Sequence, residues 1–270
     1  MSIAFIGAGN MAGSLINGLL ESGTAPSDIA AADPMATQLE KLAALGVITA
    51  ANNDQAIESA DVIVLAVKPQ VTGDVLEALS GLKPNQLIIS IVAGIDLRSL
   101  ETWLPDNQPI VRCMPNTPAL LGAGMTGLFA NSKVADQQKA SATHILKAVG
   151  EVAWVNEEAH LDAVTAVSGS GPAYFFLLME NMIAAGQKLG LDAQLSRKLT
   201  EQTAYGAALM AQKNEADPGT LRKNVTSPGG TTEAALNLML EQGLPATVID
   251  ALSAAENRAK ELAIEFGAKS

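Results

Sequence analysis

The first twelve residues constrain the fold of this chain more than any other part of its sequence. The apolar run Ile3-Ala4-Phe5-Ile6 passes directly into Gly7-Ala8-Gly9-Asn10-Met11-Ala12. Where a strand turns into a helix, Gly7 permits the tight turn, Gly9 lets a pyrophosphate approach the backbone, and Ala12 allows close packing of helix on sheet. Free N–H groups at the helix start attract phosphate. The segment predicts a dinucleotide-binding loop, with an ordinary glycine turn as the alternative.

The pattern that follows this loop predicts a doubly wound α/β sheet. Up to about Glu151, short apolar runs alternate with amphipathic stretches, as in a parallel sheet that helices cover on both faces. The predicted strands are Ile3–Ile6, Ile29–Ala32, Val62–Val67, Leu87–Val92, Ile110–Val111, Met125–Phe129 and Val152–Val155. The predicted helices between them are Met11–Glu21, Met35–Leu45, Val71–Leu79 and Gln137–Val149.

The character of the sequence changes after about Glu157, where strand patterns end and long helical stretches take over. These stretches are Ala173–Leu189, Ser196–Gln212 and Pro245–Phe266. We therefore predict a Rossmann-type dinucleotide-binding domain over residues 1–157 and an all-helical domain over residues 158–270. Because its alanine- and leucine-rich helices are apolar on more than one face, we expect a second subunit to cover them in a homodimer.

Composition disfavours several classes of function. The chain carries 28 acidic and 17 basic residues, a net charge of −11, and such a surface repels nucleic acid and anionic membranes. With no secretion signal and no apolar stretch of the roughly 20 residues that a membrane span needs, we expect a cytoplasmic protein. Cys113 is the single cysteine, and His144 and His160 are the two histidines. We expect no disulfide and no metal site, and a packing role for Cys113.

Candidate ligand-binding residues follow several predicted strands, at the sheet edge where open α/β proteins bind ligands. Asp33 ends the second strand, where a carboxylate either binds the adenosine ribose hydroxyls or caps the next helix. In Ala66-Val67-Lys68-Pro69, the lysine either reaches the nicotinamide half of the cofactor or stays on the surface. Val92-Ala93 follows the next strand. Asn116 lies after the strand Ile110–Val111, and its side chain either contacts a ligand or forms a hydrogen bond within its own turn.

Two segments of the helical half are also candidates for ligand binding. Ser168-Gly169-Ser170-Gly171-Pro172-Ala173-Tyr174 is a small-residue turn that suits either ligand contact or a close helix–helix corner. Asn224-Val225-Thr226-Ser227-Pro228-Gly229-Gly230-Thr231-Thr232 ends at a predicted helix start. Free N–H groups and threonine hydroxyls there would bind a small carboxylate, and the alternative is a well-capped helix.

Together with the first glycine loop, Lys68 and the segment around Asn116, these two segments resemble the pyrroline-5-carboxylate reductase family in residue type and order. The resemblance spans nearly the whole chain. The family makes proline by reducing a cyclic imine. Its fold implies a Rossmann domain followed by a helical dimerisation domain, often assembled as five dimers in a decamer, with the substrate pocket at the dimer interface.

The resemblance also implies site residues, which we combine with those inferred from the residues themselves. The expected cofactor set is Gly7–Ala12, Asp33, Asn53, Ala66–Pro69, Val92, Ala93 and Asn116. The expected substrate set is Glu158, Asn224, Ser227, Gly230, Thr231 and Thr232.

The chemistry expected of these residues is positioning, because the cofactor itself performs hydride transfer. Thr232 matches a family position beside the ring nitrogen, and Glu215 is a candidate proton carrier. NADPH is common in the family, whereas Asp33 with no arginine or lysine from Pro34 to Glu40 favours NADH. We expect both cofactors to work.

Two other readings stay open at this point. A β-hydroxyacid dehydrogenase has a similar domain order, but it needs a lysine base early in the second domain, and the first lysine there is Lys188. A non-catalytic dinucleotide sensor would share the first domain. A sensor has no need of the carboxylate-binding segment Asn224–Thr232, which argues against it.

Overall fold

The computed structural model describes residues 1–267, which form two compact units. The first unit contains Met1–Ser170 and the C-terminal segment that begins at Ala254, and the second contains Gly171–Ser253. The domain boundary predicted after residue 157 falls inside the first unit. Helix α7 (His160–Val164) packs on the sheet there, so closely that a Cβ on Gly127 would lie 2.7 Å from Val164 Cγ1.

The first unit is built on one eight-stranded sheet. Its order is β3-β2-β1-β4-β5-β6-β7-β8. All neighbours are parallel except β7, which runs antiparallel to β6. The strands are β1 (Ile3–Ile6), β2 (Ile29–Ala32), β3 (Ile48–Thr49), β4 (Val62–Leu65), β5 (Leu87–Ser90), β6 (Ile110–Met114), β7 (Gly124–Ala130) and β8 (Gly150–Trp154). The predicted doubly wound sheet is confirmed, with β3 as an additional edge strand.

The central strands are apolar at every position because both faces of the sheet are covered. Successive side chains of a strand point to opposite faces. Phe5 and Val64 therefore belong to one core cluster, whereas the neighbouring Ile6 and Ile63 belong to the other. All four side chains are buried, and Ala8 and Ala12 of the glycine loop belong to the same cluster as Phe5.

Seven helices accompany the sheet, and the last is followed by a π-helical turn. The helices are α1 (Asn10–Glu21), α2 (Ala36–Ala43), α3 (Asn53–Ile57), α4 (Thr72–Glu77), α5 (Leu97–Trp103), α6 (Asp136–Lys147) and α7 (His160–Val164). The π-helical turn covers Thr165–Gly169. Helices α3, α5 and α7 are additional to those predicted.

The second unit is entirely helical over its described length, as predicted. Its helices are α8 (Gly171–Lys188), α9 (Ala193–Lys213), α10 (Pro218–Asn224) and α11 (Thr231–Glu241). Helix α12 (Leu244–Phe266) begins in this unit and ends in the first. Helices α8 and α9 approach closely, since a Cβ on Gly186 would lie within 3.3 Å of Ser196 Cβ. Among residues 1–267, none of the helices combines the length and apolar character that a membrane crossing requires.

Candidate functional site

The glycine loop after β1 has the geometry of a phosphate-binding turn. Gly7 has φ +96°, a conformation that L side chains rarely adopt, and its N–H donates to Ala32 O at 2.8 Å. A Cβ on Gly7 would lie 2.6 Å from Ala66 O, so the turn requires glycine for space as well. A Cβ on Gly9, by contrast, would meet nothing within 4 Å. The open space above Gly9 is where a ligand can reach the backbone.

Helix α1 begins at this open space without a side-chain cap. Its N-cap is Gly9, and the first helical hydrogen bond runs from Gly13 N to Gly9 O. In the part of the chain that the structure describes, the N–H groups of Asn10, Met11 and Ala12 have no hydrogen-bond partner. Together with the positive end of the helix dipole, they form an anion site that fits the pyrophosphate of a dinucleotide.

A cleft of about 230 Å³ runs from the start of α1 across the ends of the next strands. It is lined by residues 9–12, 66–67 and 91–93. The structure therefore brings the predicted loops after β1, β4 and β5 to one cleft. The order β3-β2-β1-β4-β5-β6 leaves β1 and β4 side by side, and a dinucleotide binds at this switch point of the sheet.

Asp33 lies beside the loop, and its carboxylate is engaged with the protein backbone. Oδ2 accepts the N–H of Ala8 at 2.7 Å, and Oδ1 accepts the N–H of Met35 at 2.8 Å. The carboxylate therefore braces the glycine loop against the end of β2. Each oxygen keeps one lone pair for a hydroxyl donor.

Asn53 and Lys68, which are also predicted to bind the cofactor, have polar side chains that solvent reaches. Asn53 is the first residue of α3 and is partly buried, while Asn52 caps that helix by accepting the N–H of Gln55 at 2.9 Å. Lys68 is exposed, and its ammonium group forms no bond within the described chain. Both side chains are available to a ligand.

Asn116 is used inside the protein. Its Nδ2 donates to the carbonyl oxygen and the hydroxyl of Ser168, both at 3.2 Å, and its Oδ1 accepts the N–H of Met125 at 2.9 Å. The side chain thus ties the loop after β6 to β7 and to the π-helical turn. Asn116 was expected either to contact a ligand or to hold its own turn, and these three hydrogen bonds hold the local fold.

Glu158 is also bound within the first unit. Its Oε1 accepts the Arg112 Nη1 proton at 2.8 Å and the N–H of Leu97, at the start of α5, at 2.7 Å. Arg112 is 8% exposed, in the middle of an otherwise apolar strand. Our sequence reasoning missed Arg112, although a single arginine inside an apolar strand is a visible signal of a buried polar contact.

A second cavity, which we call the Arg112 cavity, lies next to the cleft and shares Val92 and Ala93 with it. It measures about 40 Å³ and is lined by residues 92–94, 112–114, Asp162, Thr165, Ala259 and Leu262. Burial raises the pKa of Asp162, with Arg112 opposing that shift. Burial also raises the pKa of the Cys113 thiol well above its usual range, which disfavours a nucleophilic role.

In the helical unit, the predicted substrate segment forms the start of α11. Gly229 has φ +72°, Gly230 is the N-cap, and no side chain caps the helix. Glu233 Oε2 accepts the Gly229 N–H at 2.7 Å. Within the described chain the N–H groups of Thr231 and Thr232 have no partner, so they can receive an anionic group.

The polar side chains of this segment are exposed and free to bind. Asn224, Ser227, Thr231, Thr232 and Glu215 are all exposed. None of these five side chains forms a hydrogen bond to another described residue. Glu215 lies in the loop before α10, whose N-terminus is capped by Asp217 instead.

Comparisons with known proteins agree with this arrangement. The family model described as pyrroline-5-carboxylate reductase dimerisation matches residues 158–262. The model described as NADP oxidoreductase, coenzyme F420-dependent, matches residues 2–94. The chain is 53% identical over 267 residues to a pyrroline-5-carboxylate reductase of Pseudomonas aeruginosa, covering 98% of both proteins.

Solved structures show the same likeness over the full fold. A pyrroline-5-carboxylate reductase from Coxiella burnetii is 44% identical with a TM-score of 0.93, covering 97% of this chain and 98% of that one. A Plasmodium falciparum pyrroline carboxylate reductase with NADP bound is 30% identical with a TM-score of 0.85, with the same coverage. The NADP in that structure belongs to a protein whose fold this chain shares.

Proposed function

The chain belongs to the pyrroline-5-carboxylate reductase family, and on this premise we propose that it reduces 1-pyrroline-5-carboxylate to L-proline, the last step of proline biosynthesis. It is an NAD(P)H-dependent oxidoreductase. The observation that carries the proposal is the uncapped start of α1 above Gly9, within a chain that is 53% identical to a named reductase over 98% of its length.

In this proposal the first unit holds the cofactor. Gly7–Ala12 bind the pyrophosphate through the N–H groups at the start of α1. Asp33 and Asn53 flank the adenosine half, and residues 66–69 with Val92 and Ala93 flank the nicotinamide half. Asn116 contributes by holding the neighbouring loop. When bound, the reduced nicotinamide supplies the hydride that the C=N carbon receives.

The helical unit is proposed to bind the substrate. The N–H groups of Thr231 and Thr232, together with Ser227, Gly230 and Asn224, receive the substrate carboxylate. The Thr232 hydroxyl orients the ring nitrogen. Because Glu233 already places a negative charge at this helix start, the hydroxyl and amide donors have to outweigh it. Glu158 stays in the proposed substrate set through Oε2, the carboxylate oxygen that Arg112 does not use.

Proton delivery needs little from the protein in this scheme. A cyclic imine that enters protonated carries its own proton, and the protein then needs only to hold the iminium nitrogen. Glu215 is the proposed carrier where the imine enters neutral, because its exposed carboxylate can exchange protons with water.

For the cofactor we propose that both NADH and NADPH serve. Asp33 disfavours a 2′-phosphate by charge, and its two backbone hydrogen bonds hold that charge in place. Asn53 and Asn52 offer neutral donors nearby. The comparison supports either form, since the model matched by residues 2–94 is an NADP oxidoreductase and one similar structure holds NADP.

Oligomerisation is supported by the match of residues 158–262 to a dimerisation model. We propose a homodimer, assembled further as a decamer of five dimers, acting in the cytoplasm. We also propose residues 1–157 and 158–270 as the functional domains. The second of these ranges begins where the dimerisation model begins.

The proposed reaction is tested by following absorbance at 340 nm as the full chain is mixed with pyrroline-5-carboxylate and either NADH or NADPH. We expect loss of absorbance with both cofactors and formation of proline. Cofactor binding without turnover would contradict the proposal and favour the sensor. Turnover of a β-hydroxyacid instead would favour the dehydrogenase.

A further inference from the structure

The Arg112 cavity is lined by a cation that uses one of its guanidinium nitrogens within the chain. Arg112 is 8% exposed and has five N–H donors, of which Nη1 bonds Glu158 Oε1. Among residues 1–267, no partner is found for its Nε or Nη2 protons. These nitrogens are not sealed in the core, since the buried unpartnered side-chain atoms of the described chain are Gln108 Oε1 and Ser196 Oγ, so a ligand in the cavity can accept their protons.

Asp162 lines the same cavity and is similarly unpartnered. In the described part of the chain its carboxylate accepts no hydrogen bond and forms no ion pair within 4.0 Å. It lies close enough to Arg112 to be attracted by its charge. Both groups line the cavity without bonding each other, Arg112 as a donor and Asp162 as an acceptor. A group that both accepts and donates would bridge them.

The balance of charge around the cavity disfavours an anionic occupant. Glu158 and Asp162 are two carboxylates against the one guanidinium of Arg112. The nearby Lys260 is paired with Glu256 at 2.7 Å. A substrate carboxylate would be repelled by two negative charges, whereas a neutral amide offers one acceptor oxygen to Arg112 and one N–H donor to Asp162.

The position of the cavity along the sheet indicates which amide this is. The cavity shares Val92 and Ala93 with the cleft that starts at the glycine loop. In this strand order the adenosine half of a dinucleotide lies toward β2 and β3, and the nicotinamide half lies toward β5 and β6. The polar substituent on the nicotinamide ring is a carboxamide.

We propose that Arg112 and Asp162 form the subsite for the nicotinamide carboxamide, with Arg112 donating to its oxygen and Asp162 accepting from its amino group. Thr165 and Met114 complete the wall of the subsite. The inference rests on the proposed cofactor use of the chain. In this proposal Asp162 favours a cofactor whose nicotinamide ring carries an amino group in its carboxamide.

The test compares binding of NADH with binding of reduced 3-acetylpyridine adenine dinucleotide, in which a methyl group replaces the amino group. Dissociation constants are measured by calorimetry on the full chain without substrate. Wild type is expected to bind the analogue about tenfold more weakly, because a hydrogen bond to a carboxylate is lost. In Asp162→Ala the two ligands are expected to bind within about twofold of each other, since no acceptor remains.

Controls separate this role from a structural one. Glu256→Gln changes a carboxylate near Asp162 that does not line the cavity, and it is expected to keep the wild-type ratio. ADP-ribose, which lacks the nicotinamide, is expected to bind wild type and Asp162→Ala equally. Where Asp162→Ala does not fold, Asp162→Asn replaces it, and its neutral carbonyl acceptor is expected to give a ratio of about threefold.

Some outcomes would overturn the carboxamide subsite, and another would refute the dinucleotide site itself. A tenfold ratio that persists in both Asp162 variants would overturn the carboxamide subsite. Equal weakening of ADP-ribose and NADH by both variants would also overturn it, because Asp162 would then only hold the fold. Failure of wild type to bind ADP-ribose at all would instead refute the proposed dinucleotide site.

Discussion

The two compact units of this chain differ in how far they bury their apolar side chains. In the first unit, strands such as β1 and β4 are buried at every position. In Gly171–Ser253 the buried residues are Gly171, Ser196 and Thr200, and none of them is a large apolar residue. Phe175, Phe176 and Leu177 at the start of α8 are 64%, 63% and 60% exposed.

This difference shows which part of the fold the chain completes by itself. The first unit buries its apolar surface within its own two core clusters. The helical unit leaves patches that a soluble monomer rarely exposes, so its apolar faces need surface from another chain. The match of residues 158–262 to a dimerisation model is consistent with that requirement.

The largest expected effect comes from a charge placed on the exposed apolar face of α8. Phe176→Asp places a carboxylate on the exposed apolar face of α8, and burying that unpaired charge in an interface costs several kcal/mol. We expect the oligomer to dissociate, as measured by sedimentation equilibrium. Leu45→Asp, at a 43% exposed position of the first unit, is the matched control and should keep the wild-type mass. An intact oligomer of Phe176→Asp would refute the assignment of this face.

Two alanine variants of the glycine loop test how the first unit forms its phosphate-binding turn. Gly7→Ala puts a Cβ 2.6 Å from Ala66 O at φ +96°, so we expect the free energy of unfolding to fall by about 2–4 kcal/mol. Gly9→Ala meets no atom within 4 Å and has an ordinary φ of −68°, so stability should fall by no more than about 1 kcal/mol, the cost of alanine at a helix N-cap.

Urea unfolding measures the stability of both glycine variants, and calorimetry with ADP-ribose measures binding. Gly9→Ala is expected to bind ADP-ribose at least about tenfold more weakly despite its intact fold, because the methyl group enters the phosphate approach. Equal binding by Gly9→Ala and wild type would place the pyrophosphate elsewhere.

The third prediction concerns the helical unit. Thr232→Ala should lower kcat/KM for the imine by about tenfold, the scale of one lost orienting hydrogen bond of about 1.4 kcal/mol. The dissociation constant of NADH should not change, because Thr232 lies in the unit proposed to bind substrate. Thr247→Ala, another exposed threonine of the same unit, serves as the control. Unchanged steady-state kinetics of Thr232→Ala would remove this residue from the mechanism.

The smallest expected effect compares one carboxylate from each unit. Hydrogen bonds from Ser80 and Gly81 lower the pKa of Asp54, and those from Thr220 lower the pKa of Asp217. A lowered folded-state pKa contributes stability above the unfolded value, and that contribution is lost as the pH falls through the folded value. Asp54→Asn and Asp217→Asn should each slightly flatten the loss of stability between about pH 5 and pH 2 in urea unfolding. An unchanged pH slope would contradict this.

Much of the first unit could be predicted because its signals are local. All seven predicted strands form, since most of them are continuous or nearly continuous apolar runs. Strand β3 was missed because it contains only two residues, Ile48 and Thr49, and both are exposed. Helix α5 was missed because polar residues interrupt its short apolar pattern. The cleft residues were predicted, whereas Arg112 and Asp162 were not, because their importance depends on what surrounds them.

The strand–turn–helix at Gly7–Ala12, the change from mixed to helical structure and the family could all be recognised from the order of residues alone. These depend on glycine φ angles and on periodicity, which are properties of neighbouring residues. The hydrogen-bond partners of Asp33, Asn116 and Glu158 became visible only in the folded chain. Those hydrogen bonds join residues 25, 52 and 46 positions apart, and packing of separate elements sets such distances. For the same reason the Arg112 cavity exists only in the folded chain.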